Sequence, residues 1–301
     1  MRQSLGHGSA RPIILLCCTI LVLGFCASLG AEPLRMVQGV NGVARYSKGV
    51  LHLIEKEIPD VHFEWDETTP STTEARIIEM IDANKLDICW YATTNEFESR
   101  MLPIRIPLYR GLLGYRVLMI REGTQSKFDN IETLDDLKRI SLGQGRFWAD
   151  TDILVANGLN VVKVTQYNSL FYMLDGGRFD AFPRGVHEPW YEIPNWPDLS
   201  LTVEKHLMMQ YTNPFYFFVN KNNTRLAGII EKAFRKAIDD GSFQQYFLND
   251  PTIKDVLLKA NIDKRHVIRL KNPSLPPQTP VDEKKLWFDP FELKQAEKKE
   301  N

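Results

Sequence analysis

Residues 86–119 read LDICWYATTNEFESRMLPIRIPLYRGLLGYRVLM. The first seven are apolar apart from Asp87, the pattern of a strand buried on both faces of a parallel sheet. A polar turn follows, and a long strand-like run occupies 112–123. On the N-terminal side, 33–40 reads as a first strand closed by a glycine turn. Segment 45–58 then sets Val50, Leu51, Ile54 and Ile58 at helical spacing. Residues 61–65 alternate as a strand does, and 73–85 form a second helix with Ser71 or Thr72 as its cap. Strand alternates with helix, so the first part is α/β with a mainly parallel sheet.

The pattern continues on the C-terminal side. A capped short helix, TLDDLKRI, precedes the strand and turn ISLGQG. Two helical segments flank the strand VVKVT, and FDAFP (179–183) is a strand stopped by Pro183. PFYFFVNKNN (214–223) is a returning strand, followed by an amphipathic helix that ends at Gly241. The remaining tail carries Pro273, Pro276, Pro277, Pro280 and Pro290. It is expected to lie extended over the surface, pinned by Trp287 and Phe288, with a fraying charged end. There is no internal repeat.

The 301 residues carry a net charge of −1, which gives no electrostatic argument for nucleic acid. Arg2 and Arg11 precede an apolar run closed by small residues, the layout of a secretory signal peptide cleaved near Gly30 or Ala31. An uncleaved membrane anchor is the alternative, although the run is short for a full span. Phe25 is too bulky for Cys26 to be a lipid-attachment site. Cys17, Cys18 and Cys26 leave with the signal, and Cys89 remains as a small core hydrophobe. Catalytic signatures are missing: no G-x-S-x-G elbow, no H-E-x-x-H, no P-loop and no paired-cysteine metal spacing. No catalytic residue, metal site or cofactor is expected.

Taken in order, these segments resemble the family 3 solute-binding proteins, the periplasmic receptors for amino acids and related solutes. PLRMV after a signal, the 86–119 stretch, LDGGRFDAF, and YFFVNKNNTRLAGIIEKAFRKAIDDGSFQQYF each resemble the family's counterparts, over about 33–268. The tail resembles that of a poorly characterised branch. The resemblance implies a two-lobed α/β fold of the type II periplasmic binding protein class, with a ligand cleft between lobes joined by two crossing hinge segments. The expected division is signal 1–31, first lobe 32–117 plus 218–270, inserted second lobe 118–217, and tail 271–301. The crossings are expected near Leu118–Glu122 and Asn213–Val219.

Site residues follow from the same resemblance. Arg100 stands near the place of the arginine that clamps a ligand carboxylate through its planar fork, with Arg105 nearby, or else is a surface arginine. Tyr91, Thr93 and Thr94 follow a strand end and offer a ring and hydroxyls, or else a buried ring and helix caps. The family's glycine-threonine turn is replaced by GQGRFWADTD, which makes Trp148 a candidate lid or stacking surface, or else a packed ring, with Arg146 and Asp150 as further candidates or only caps of the next helix. In FDAFPRGVHEPWYEI (179–193), Arg184 stands where an ammonium-pairing aspartate is usual. Either Glu188 takes over the ammonium, or the ligand is not an ordinary α-amino acid and Arg184 binds a second acidic group; alternatively, Arg184 and Glu188 pair with each other. His187 and Trp190 are expected to pack.

The sequence thus reads as an exported, monomeric receptor for a small polar solute, handing it to a membrane permease or docking on a membrane sensor protein.

Overall fold

The structure is a computed structural model that describes residues 1, 33–37, 42–59, 61–66 and 73–291. The expected signal segment and the charged end of the tail lie outside the described residues. Among the described residues no helix is long and apolar enough to cross a membrane.

The first sheet contains β1 (Leu34–Val37), β2 (Phe63–Asp66), β3 (Ile88–Ala92), β4 (Met101–Ile104) and β11 (Phe215–Asn220) in the order β2-β1-β3-β11-β4. β1 pairs in parallel with β2 and β3, whereas β11 runs antiparallel between β3 and β4. The helices α1 (Gly42–Glu55), α2 (Glu74–Asp82), α3 (Asn95–Arg100), α8 (Thr224–Asp239), α9 (Ser242–Asn249) and α10 (Pro251–Lys259) belong to this half of the fold. Their starts follow from local chemistry: Thr73, one residue beyond the expected caps, accepts the Arg76 amide at the head of α2. Asn223 does the same for Leu226 in α8. That helix buries Leu226, Ala227, Ile230, Ala233, Phe234 and Ala237, a stripe at three- and four-residue spacing.

The second sheet has the order β12-β10-β5-β8-β6-β7, with β9 (Leu201–Val203) also paired to β5. Its strands are β5 (Tyr115–Arg121), β6 (Ser141–Gly145), β7 (Asn160–Val164), β8 (Ala181–Gly185), β10 (Leu207–Gln210) and β12 (His266–Arg269). Around it lie α4 (Leu134–Leu137), α5 (Ala149–Ala156), α6 (Tyr167–Asp175) and α7 (Pro189–Glu192).

Two details differ from expectation. β5 belongs wholly to the second sheet, and β11 from Phe215 onward to the first, so the chain passes between sheets at 105–114 and 211–214 rather than at 118–122 and 213–219. β12, assigned by sequence to the first lobe, instead pairs in parallel with β10 of the second, from Leu207↔His266 to Gln210↔Arg269. The returning chain therefore visits the second lobe once more before the tail begins.

From β12 the chain runs back over the first crossing. Lys271 exchanges hydrogen bonds with Asn157, and the Asn272 side-chain Nδ2 donates to the Thr212 carbonyl at 2.9 Å. Farther on, Leu286 is buried, the Phe288 ring lies 5.0 Å from that of Phe247, and the Phe288 amide donates to the Arg110 carbonyl at 2.8 Å. Arg110 in turn donates to the carbonyls of Lys285 and Trp287. Gly111 adopts φ +84°, and a Cβ there would stand 2.5 Å from the Trp287 ring, so both backbone and space require glycine. The tail is a strap anchored on both lobes. The main core is shared as well: Val117, Val186, Val203 and Met208 of the second lobe pack in one apolar cluster with Ile253, Val256 and Phe217 of the first.

Candidate functional site

Register places the site. Arg116 at the start of β5 lies opposite Gly185 at the end of β8, so the carboxyl ends of β6 and β8 face the crossings. In the first sheet Ala92, the end of β3, lies opposite Phe215, just past the second crossing. Turns at such strand ends, between lobes, are where small-molecule sites gather.

On the second lobe these turns carry a chain of alternating charges. The Arg184 Nε donates to Glu192 Oε2 at 2.8 Å, and its Nη2 reaches Glu192 Oε1 and, at 2.9 Å, Glu188 Oε1. The other oxygen of Glu188 accepts the Gly185 amide at 2.5 Å and meets Arg116 at 3.4 Å. Arg116 continues to Asp150, which also accepts from the Tyr211 hydroxyl (2.5 Å) and the Asn213 amide (3.2 Å). Arg116 and Arg184 are 2% and 6% exposed. Burial alone would lower the Arg184 pKa, but Glu188 and Glu192 hold it well above its ordinary value. The Arg184 guanidinium also lies 4.9, 5.2 and 5.8 Å from the ring centres of Phe182, Trp148 and Tyr167. Trp148 stacks at 22° on Phe182, and fits only because Gly145 has no Cβ, which would stand 2.5 Å from the indole.

An aromatic stack joins the lobes. Tyr109, in the first crossing, is sandwiched between Tyr46 of α1 and His187, each at 4.4 Å between ring centres. Burial, then the nearby Arg116 and Arg184, lowers the His187 pKa to about 3, so the imidazole is neutral at neutral pH. Trp190 donates to the Val186 carbonyl and packs on the shared core.

On the first lobe, the Thr93 amide donates to the Pro214 carbonyl and its hydroxyl to Glu98 Oε1 at 2.8 Å. The second oxygen of Glu98 pairs with Arg105. Thr94 caps α3 by accepting the Phe97 amide. Tyr91 packs against Phe97, 5.2 Å between ring centres, within the cluster beneath α2. At the head of α2, burial and then Glu96 push the Glu74 carboxyl up to about 7. The turns after β1 and β2 lie outside the described residues.

The residues read from the sequence therefore separate into two sets. Arg184, Glu188 and Trp148 come together, the first two as an ion pair. Thr93 and Thr94 stand at the edge of the first lobe, Tyr91 just beneath it. Arg100 does not join them: Met101 lies opposite Asn220, five residues along β11 from Phe215, or about 17 Å. Its guanidinium meets Asp82 at the surface at 2.6 Å. Arg105, at the end of β4 nearer the crossing, is the arginine linked to Thr93. Asp150 does not cap α5, whose N-cap position is Trp148 with no side-chain bond, and instead anchors the charge chain. Arg116, Glu192, Tyr109 and Tyr46 escaped the sequence reading, although an arginine inside the apolar run YRVLMI was a signal for the first. Among the described residues no group of three or more His, Cys, Asp or Glu is placed to hold a metal ion.

No family model matches the chain, and no curated protein matches it. Solved structures do. An ancestral arginine-binding protein bound to arginine is 18% identical, with 72% of this chain and 97% of that chain covered at a TM-score of 0.55. The substrate-binding protein of an amino acid ABC transporter is 14% identical over 72% and 97%, TM-score 0.51. A Salmonella typhimurium periplasmic binding protein of high arginine specificity is 17% identical over 72% and 97%, TM-score 0.52. The fold is accordingly the two-lobed α/β fold of type II periplasmic binding proteins, shared with solute-binding proteins of family 3.

Proposed function

We propose that the protein is an exported solute receptor that captures a small polar, amino-acid-like or acidic molecule between its lobes and presents it to a membrane permease of an ABC-type importer. One observation carries this reading: a buried, alternating chain of guanidinium and carboxylate groups stands where the strand ends of the second lobe meet the crossings. A zwitterion carries both charges of the Arg184–Glu188 pair and can exchange one internal ion pair for two with the ligand, its carboxylate on Arg184 and its ammonium on Glu188. Trp148 would flank it, with Thr93, Thr94 and Tyr91 on the facing edge. Arg100 is left out because it ends α3 at the far end of β4, paired with Asp82 at the surface. A signal cleaved near Gly30 or Ala31 and a monomeric state belong to the same proposal. The similar proteins, which bind arginine or serve an amino acid transporter, support a binding role rather than catalysis.

The test is a thermal-shift screen of refolded, ligand-stripped protein against amino acids, dicarboxylates, peptides and polyamines. A ligand at about 100 times its Kd stabilises the fold by roughly 2.7 kcal/mol. A shift with an amino-acid-like compound that disappears in Glu188→Gln supports the reading. No shift with any compound overturns it and favours a module that docks on a membrane sensor.

A further inference from the structure

We infer that the strap and the hinge enclose a second ligand site, for a small carboxylate with an apolar body and one hydrogen-bond donor. A cleft of about 490 Å³ opens between them, lined on one side by the hinge residues Gly111 and Thr212 and on the other by the strap residues Lys284 and Trp287. Its size is that of a small-molecule site. None of Arg184, Glu188 or Trp148 lines it; Tyr211, which does, donates its hydroxyl to Asp150 at the far end of the charge chain.

Three features define the occupant. First, Arg269, at the end of β12, and Lys284, in the strap, both line the cleft, and neither makes an ion pair among the described residues. The single lining carboxylate, Asp289, is already engaged by the Phe291 amide at 2.9 Å. The balance favours an anion, and a guanidinium suits a carboxylate's two oxygens. Second, the Trp287 indole, fixed by its Nε1 donating to the Pro280 carbonyl at 2.8 Å, offers a rigid apolar wall, continued by Leu270. Third, Gln210 lines the cleft, and its side-chain oxygen, closed to solvent, has no partner among the described residues; an orphan acceptor is expensive, and a rotation of the side chain presents it to a donor in the cleft. A hydroxyl on the ligand supplies that donor. Because the walls come from both crossings and from the strap, occupancy ties the strap to the hinge, and any preference for one lobe arrangement is reciprocal with binding between the lobes.

The experiment titrates the purified protein with 4-hydroxybenzoate by calorimetry and by ligand-observed NMR, with benzylamine as the cationic counterpart. The expected result is 4-hydroxybenzoate binding at about millimolar Kd or tighter, no benzylamine binding, and at least a roughly tenfold loss in Arg269→Glu/Lys284→Glu. Both side chains are exposed, so the variant should fold, and its melting temperature checks this. Arg269→Gln/Lys284→Gln serves if it does not. Arg100→Met, at the surface against Asp82 and not lining the cleft, is expected to leave binding unchanged. Absence of 4-hydroxybenzoate binding, or binding that survives both charge removals, or binding lost in a folded Arg100→Met, overturns the inference.

Discussion

Replacing Arg184 by methionine keeps most of the side-chain volume and removes the charge. It leaves Glu188 and Glu192, each with a side chain 11% exposed, facing one another without their shared cation. Three charge-assisted contacts disappear, from Nε and Nη2, along with the stacking of the guanidinium among Phe182, Trp148 and Tyr167. Breaking a buried pair by removing one partner costs about 3–5 kcal/mol, most of it the stranded charge. For a chain of this size that corresponds to a fall in Tm of about 10 °C. Arg100→Met removes a single surface pair whose side chains are 39% and 42% exposed, and is expected to cost no more than about 1 kcal/mol. Urea unfolding at pH 7.5 with equal m-values measures both. A cycle with Glu192→Gln should show a coupling of at least about 1 kcal/mol with Arg184. If Arg184→Met lies within about 1 kcal/mol of the parent, or Arg100→Met is the costlier change, the assignment of Arg184 as a buried keystone is refuted.

Other perturbations follow from the same geometry. His187 has a folded pKa of about 3, below its unfolded value near 6.5, so the unfolded chain takes up the proton first. Its contribution to stability is complete above pH 6.5 and declines by about 1.4 kcal/mol per unit as the pH falls toward 3. His187→Phe should flatten that part of the stability profile, read from urea midpoints between pH 7 and 4. Glu74 has the opposite sign: its folded pKa, raised to about 7, means that stability is lost as pH rises from 4.5 to 7, so Glu74→Gln should be stabilising at pH 8 and nearly neutral at pH 4, as differential scanning calorimetry will report. Gly111→Ala meets both a left-handed backbone and the Trp287 ring, and should cost about 1–3 kcal/mol while shifting tryptophan emission to the red as the indole is displaced.

What was legible in the sequence was local. The apolar β3 and the α8 stripe announce themselves through period, whereas β8 runs on through Pro183 to Gly185, two residues past the expected stop. The charge chain was half legible: Arg184, Glu188 and Glu192 recur every four residues, a face visible in RGVHEPWYE, yet Glu192 was not singled out. Arg100 was misplaced because position along the sequence ignores α3, whose six residues carry the chain about 9 Å along its axis, away from the edge at which Thr94 caps it. β12 is a four-residue strand whose pairing with β10 depends on a distant partner, so HVIR alone could not reveal it.

The strap has a consequence for the order of folding. Synthesis delivers the chain from its N-terminus, and domains ordinarily fold as they emerge. Here the edge strand of the second sheet arrives only with residues 266–269, and the Trp287 carbonyl meets Arg110 across 177 positions. Neither lobe is complete until nearly the whole chain is present, and closing so long a loop slows the last step. A chain that reached only to Arg265 would expose the free edge of β10, which residues 266–269 cover, so the arrival of β12 times the native state of the second sheet.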